Sequence, residues 1–298
     1  MAIELNTDIG VDYIESDVLQ QKNIRLGILR LDKLHPLVSG NKWYKLKDNI
    51  SKALALGKKG LLTFGGAYSN HLIATAAAAQ AFGLGSKAIV RGFHAQENLS
   101  PTLMKCASLG MELQFVSREE YDKKNDESYL HHLHHTSPNH FIIPEGGDNQ
   151  DGINGAAAIA ELLPQNLDMV TLPIGTGTTF CGIRNGLSHQ VKMLGFPTMK
   201  GGDYLSQHIQ QHVSCNNWVL HSNYHFGGFA KHKPALIEFM NNFYHQHKIP
   251  LDFVYTAKMM FGIFDLINKD ELPNGTRLVC IHTGGLQGND SIKQLLHY

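Results

Sequence analysis

The feature that most constrains this chain is a repeated short apolar run that ends in glycine and leads into a helix-like stretch. Gly60 to Phe64 stops at Gly65-Gly66, and an alanine-rich helix pattern follows from Ser69 to Ala81. Ser86 to Val90 and Met111 to Val116 read as further strands, with a helix pattern from Glu97 to Leu109 between them. Phe141 to Ile143 ends at Pro144 and Gly146-Gly147, and Gly152 to Leu163 reads as a helix. Leu167 to Ile174 runs into Gly175-Thr176-Gly177, with a helix from Thr178 onward. Strands alternating with helices predict parallel sheets covered by helices on both faces. In such α/β sheets ligands bind beyond the carboxyl ends of the strands, where these glycine turns fall.

At 298 residues the chain suits one large or two medium α/β domains. Hydrophobic residues make up 43%, enough for a real core. No Pro- or Ser-rich linker separates the parts. Two intimately joined domains are expected, with 1–47 and 155–298 forming the larger and 48–154 the smaller. Lys+Arg and Asp+Glu are both 26, so no basic field points to nucleic acid. The acidic start carries no signal-peptide pattern, and no run reaches the roughly 20 apolar residues of a membrane span. Cys106, Cys181, Cys215 and Cys280 form no C-x-x-C pair and read as thiols in a reducing compartment, with the cytoplasm as the expected location.

Several segments carry candidate chemistry. Ser39-Gly40-Asn41-Lys42-Trp43-Tyr44-Lys45-Leu46 offers an amine that could condense with an aldehyde if desolvated. Most lysines are solvated, and spacing alone does not choose Lys42 over Lys45 or Lys47. In Gly65 to His71, Ser69 or Asn70 would cap the following helix; the same helix start would suit a carboxylate or phenolate oxygen. No G-x-S-x-G elbow supports a serine hydrolase.

Gly175-Thr176-Gly177-Thr178-Thr179 gathers amides and hydroxyls at a strand-to-helix turn, which suits one phosphate monoester. It fails as a dinucleotide fingerprint, because Phe180 replaces the third glycine, and it lacks the Gly-Lys-Ser/Thr of a Walker loop. Tyr255-Thr256-Ala257-Lys258 and His282-Thr283-Gly284-Gly285 are further candidates that a core tyrosine and a strand-end turn would also explain. His131, His132, His134 and His135 read as a histidine-rich surface loop, and no metal site is expected.

The ordered set SGNKWYKL, GGAYSNH, IPEGGDNQDGINGA, GTGTT, YHFGGFAKH, VYTAKMM and HTGGLQG resembles the family of 1-aminocyclopropane-1-carboxylate (ACC) deaminase and D-cysteine desulfhydrase. The resemblance runs from about residue 35 to 290 and implies the tryptophan synthase β-like fold of pyridoxal 5'-phosphate (PLP) enzymes. It implies that Lys42 carries the cofactor as a Schiff base and that Asn70 binds its phenolic oxygen. Gly175, Thr176, Gly177, Thr178 and Thr179 would hold the phosphate. Tyr255 would lie against the ring, and Thr256 or Thr283 would approach the pyridine nitrogen. Asn41, Ser69, His71 and Phe229 would meet the substrate, with Lys42, Ser69 and Tyr255 in the proton and nucleophile steps. A homodimer is also implied.

Two positions depart from ACC deaminases, which place a glutamate where Thr256 stands and often a tyrosine where Phe229 stands. A carboxylate against the ring nitrogen is worth on the order of 4 kcal/mol at 4 Å and an effective dielectric of 20. A threonine hydroxyl offers about 1 kcal/mol. The weaker electron sink suits α,β-elimination of a small amino acid to a keto acid and ammonia, as in D-cysteine desulfhydrase, better than cyclopropane opening. ACC deaminase activity and a non-catalytic PLP-binding protein are the alternatives.

Overall fold

The computed structural model describes residues 3–202 and 204–298. In chain order the elements are β1 (Val11–Ile14), α1 (Asp17–Gln21), β2 (Arg25–Leu29), α2 (Asn41–Ala55), β3 (Gly60–Gly65), α3 (Asn70–Ala81), β4 (Gly85–Arg91), α4 (His94–Glu97), α5 (Pro101–Ser108), β5 (Met111–Val116), α6 (Arg118–Asp122), α7 (Glu127–Thr136), β6 (His140–Ile143) and α8 (Gln150–Ala157). They continue with β7 (Met169–Ile174), α9 (Thr178–Gly186), β8 (Lys192–Pro197), α10 (Tyr204–His212), β9 (Trp218–Leu220), α11 (Pro234–His247), α12 (Thr256–Asn268) and β10 (Arg277–Ile281).

The chain divides into two compact units, residues 1–5 with 35–156 and residues 6–34 with 157–298. The first unit holds a four-stranded sheet in the order β5-β4-β3-β6, every pair parallel. Its β3 is buried at all six positions, as a parallel strand covered on both faces must be. Helix α3 is apolar nearly all round, and its alanines let it lie close on β3 and β4. The division differs from the expected boundary at 47/48. Helix α2 is continuous from Asn41 to Ala55, and its buried Leu46, Ile50 and Ala53 join Leu61, Ala74 and Ala78 in one core. A cut after residue 47 would split that helix. Gly155 shows how closely the unit packs: a Cβ there would meet the Tyr44 carbonyl at 2.0 Å, so α8 lies backbone to backbone on α2.

The second unit holds a six-stranded sheet, β1-β2-β10-β7-β8-β9. All its pairs are parallel except β1 with β2. Its core joins Leu26, Ile28 and Cys280 to Met260, Ile263 and Leu266 of α12. Where α12 crosses β8, a Cβ on Gly262 would meet the Phe196 ring at 2.3 Å, so glycine sets that approach. The fold is therefore mixed α/β, with two mostly parallel sheets flanked by helices. The strands before residue 60 and β8, β9 and β10 extend the alternation beyond the runs that the sequence pattern marks.

One sequence reading is corrected. The histidine-rich segment is a helix, α7, and not a loop. Leu130 and Leu133 pack it onto Phe64 and Tyr121, and that apolar contact outweighs the weak helix propensity of four histidines. Among the described residues no group of three or more metal-ligating side chains is gathered, and no helix is long and apolar enough to cross a membrane.

Candidate active site

In the first unit the candidate residues lie at the carboxyl ends of β3 and β6 and at the start of α2. Gly40, with φ +63°, turns the chain into α2, a conformation that glycine adopts at little cost. Lys42 follows on the first turn, half-buried, and its Nζ donates to Asn41 Oδ1 at 2.7 Å. Asn41 itself is buried, so its amide is a fixed post for the amine. Lys45, one turn further, is also buried. Burial holds its pKa well below the ordinary lysine value; the Lys42 charge pushes the same way and Asp148 opposes.

His71 is buried beside Lys45: a Cβ on Gly147 would stand 3.2 Å from Lys45 Cβ and 3.7 Å from His71 Cε1. The Thr63 hydroxyl donates to the Ile143 carbonyl at 2.8 Å, so it accepts from His71 Nε2–H at 2.9 Å. That network assigns the tautomer and leaves Nδ1 as an acceptor. His71 Nδ1 is buried and has no hydrogen-bond partner. Burial, and then the charges of Lys45 and Lys42, hold the imidazole pKa well below its usual value, so the ring is neutral.

Ser69 occupies the N-cap position of α3, yet its side chain makes no capping bond. Its hydroxyl is turned toward Gly65, where a Cβ would approach Ser69 Oγ to 2.8 Å. The expected cap is thus absent and the hydroxyl is not spent on the helix. Asn70 Oδ1 is buried without a partner. Buried polar atoms in native proteins are nearly always hydrogen-bonded, so two orphan acceptors on adjacent residues mark a place for a ligand.

In the second unit β7 delivers Gly175–Thr179 and the positive end of α9. Gly177 has φ +99°, and a Cβ there would meet His208 at 2.8 Å, so both conformation and space require glycine. The Thr176 and Thr178 hydroxyls pair at 2.7 Å. Tyr255 lies against the same turn: a Cβ on Gly175 would be 3.3 Å from Tyr255 Cε1. Phe229, 43% exposed, meets the Tyr255 ring edge-on with centroids 6.0 Å apart.

Behind Tyr255 the structure shows a residue that sequence reading missed. Asp252 is fully buried, and its carboxylate accepts from the backbone N–H of Val254 (3.0 Å), Tyr255 (2.8 Å) and Thr256 (2.9 Å). It also accepts from the Thr256 hydroxyl at 2.8 Å, and that hydroxyl accepts in turn from Asp252 N–H at 2.8 Å. Burial leaves the Asp252 pKa above the ordinary carboxylate value, although these bonds and His282 pull it down. The hydrogen of Thr256 is therefore committed to closing the start of α12. Thr283 stands two residues past β10, buried, before Gly284 and Gly285, both with positive φ. Its neighbour His282 is held by the Pro250 carbonyl at 2.7 Å. The i, i+4 spacing of Asp252 and Thr256 was the available signal for this cap.

A family model described as pyridoxal-phosphate dependent enzyme matches residues 13–284. A putative ACC deaminase of Pyrococcus horikoshii is 27% identical over 303 residues, covering 95% of this chain and 87% of the relative. A bifunctional D-cysteine desulfhydrase/ACC deaminase of Arabidopsis thaliana, described as mitochondrial, is 28% identical over 287 residues, covering 87% of this chain and 72% of its own. The solved structure of an ACC deaminase homologue superposes with a TM-score of 0.83 at 24% identity, covering 98% of this chain and 94% of that one.

Proposed function

Because the chain belongs to the family of pyridoxal-phosphate dependent enzymes, with PLP as its cofactor, we propose that it degrades a small amino acid by α,β-elimination, giving a keto acid and ammonia, in the manner of a D-cysteine desulfhydrase. The names of the relatives support a lyase or deaminase of this group, with ACC breakdown as the neighbouring activity. The observation that carries the choice is the commitment of Thr256 to Asp252. Where ACC deaminases resemble one another in a glutamate, this chain has a hydroxyl whose hydrogen is already given away. Phe229 adds no hydroxyl of its own.

The residues fit the cofactor. Asn70 offers an unsatisfied side chain for a phenolic oxygen, and the Gly175–Thr179 turn at the head of α9 suits a phosphate monoester. Thr283 is the better candidate for the ring nitrogen, since Thr256 is spent. PLP, when bound, supplies the electron sink that acidifies the substrate's Cα–H. The protein's share is orientation and proton handling. Lys42 would hold the cofactor and move the α-proton, and Asn41 Oδ1 is placed to steer its amine. Ser69 binds the substrate carboxylate with a hydroxyl not used for capping. Neutral His71 offers Nδ1 as an acceptor to a donor group of the substrate. Tyr255 would lie against the cofactor ring, with Phe229 on its edge toward the substrate. With the cofactor bound, the site would let a β-substituent leave, and the products would be a keto acid and ammonia.

The resemblance supports a homodimer. The cysteines Cys106, Cys181, Cys215 and Cys280, none of them in a disulfide, support a reducing compartment such as the cytoplasm, and the balanced charge supports a small-molecule substrate over nucleic acid. A panel of D- and L-amino acids and ACC, assayed for keto acid and ammonia, tests the proposal. Release from β-substituted amino acids is expected. Stoichiometric PLP with no turnover of any member would instead support a non-catalytic carrier.

A further inference from the structure

Lys258 is the third residue of α12 and only 1% exposed. A cation there is unfavourable twice over, through desolvation and through the positive end of the helix. Its compensation is local: Nζ donates to the His225 carbonyl at 2.9 Å and to the Gly228 carbonyl at 2.7 Å. Asp252 is the carboxylate whose charge favours the ammonium, but its own oxygens are occupied by the donors described above.

The loop that presents those carbonyls is unusual. Phe226, Gly227, Gly228 and Ala230 all have positive φ (55°, 100°, 118° and 52°). For Phe226 and Ala230 that conformation is sterically disfavoured and needs a surrounding structure to hold it. The accounting of lone pairs shows what does. The His225 carbonyl accepts from Gly228 N–H at 3.0 Å and the Gly228 carbonyl from Lys231 N–H at 3.1 Å. Lys258 takes the second lone pair of each. Just before the loop, the Tyr224 hydroxyl donates to Asp265 at 2.7 Å, farther along the same helix. Phe226 packs edge-on against Phe261, also of α12, at 5.0 Å.

The strained loop is thus tied to α12 at three points, and the residue it projects is Phe229, beside Tyr255. Tyr255 immediately precedes the helix and Lys258 lies in its first turn. We propose that Lys258 is a positioning residue for substrate recognition: by gathering the carbonyls of His225 and Gly228 it holds Phe229 against Tyr255 and so shapes the substrate side of the site. This rests on the proposed function for its kinetic consequence, though not for its structural one.

The test combines hydrogen exchange with a double-mutant cycle on the PLP-loaded enzyme. Lys258→Met should speed amide exchange at Gly228 and Lys231 while β7, β8 and β10 keep their protection. With the best elimination substrate, KM should rise about tenfold and kcat change much less, the pattern of lost binding. In a Phe229→Ala background the same Lys258→Met change should raise KM less than about twofold, because the contact it served is already gone. Lys258→Gln, which keeps a donor without the charge, should fall between, and replaces Lys258→Met if that variant does not fold. Equal KM effects in both backgrounds, or unchanged exchange at 228 and 231, would overturn the assignment. If no amino acid is turned over, the proposed function fails, while the exchange result still decides whether Lys258 holds the loop.

Discussion

The two units differ in how the buried polar groups nearest the candidate site residues are met. In the unit built on β3 to β6, burial pushes basic groups toward their neutral forms and acceptors are left open: Lys45 and His71 have strongly lowered pKa values, and His71 Nδ1 and Asn70 Oδ1 lack partners. In the unit built on β7 and β10, the charged groups behind Tyr255 are closely hydrogen-bonded. Asp252 receives four donors and Lys258 meets two carbonyls. Arg184, 1% exposed, donates to the carbonyls of Leu187, Ser188 and Val191, although its Nε is left without a partner. Open groups cost stability unless a ligand completes them, and saturated groups hold a shape. Around the candidate residues, the first unit therefore presents open acceptors, and the segment behind Tyr255 in the second is a hydrogen-bonded support.

The sharpest way to break this contrast is Lys42→Ala. Turnover and the borohydride-reducible cofactor link should both vanish while the unfolding midpoint stays close to wild type. A link that survives would move the reactive amine elsewhere, with Lys45 next in line.

Next in size is Asp252→Ala in the supporting unit. It strips the N–H groups of Val254, Tyr255 and Thr256 of their acceptor, and stability in urea should fall by about 2–4 kcal/mol. Loss of activity without loss of stability would mean that Asp252 acts chemically, and the division between the units would fail.

Thr256 and Thr283 sharpen the contrast further. Thr283→Val should lower kcat/KM about tenfold, the order of one lost hydrogen bond of about 1.4 kcal/mol. Thr256→Glu would set a second carboxylate against Asp252 in a buried site. It should destabilise the protein and leave the preference for elimination over ACC unshifted. A soluble, stable Thr256→Glu enzyme with gained ACC activity would show that residue 256 does reach the cofactor.

The smallest effect concerns pH. His71 is neutral in the folded protein because its pKa lies well below 6.5. The unfolded chain takes up that proton first, so stability is lost as pH falls below about 6.5 and is regained as pH rises through it. Other buried histidines act with the same sign, so the comparison is wild type against His71→Gln. Between pH 6.5 and 5 the variant's stability should decline less steeply, by up to about 1.4 kcal/mol per pH unit. Parallel slopes would show that His71 is charged or solvated.

What the sequence made legible were the features that need particular residues. Gly65, Gly147, Gly175 and Gly177 stand where strands end, and the positive φ of Gly177 disfavours any larger residue there. Lys42 could be chosen only by the company of its motif, since Lys45 is the more buried of the two. Helix α7 was hidden because histidines say little about helix formation, and Leu130 and Leu133 decide it through tertiary packing. Thr256 was read for its type and not for its partner, because the pull of Asp252 appears only when α12 begins between them. The burial of Lys258 contradicts what lysines usually do, and no local pattern announces it.

The central claim is that this site favours loss of a β-substituent over opening of a cyclopropane. The direct measurement is kcat/KM for D-cysteine or β-chloroalanine beside kcat/KM for ACC on one preparation of PLP-loaded enzyme, since that ratio alone reports discrimination between competing substrates. The elimination substrate should exceed ACC by at least about tenfold, matching a nitrogen partner weaker by about 1.4 kcal/mol or more. An ACC value equal to or above the best elimination substrate would contradict the account.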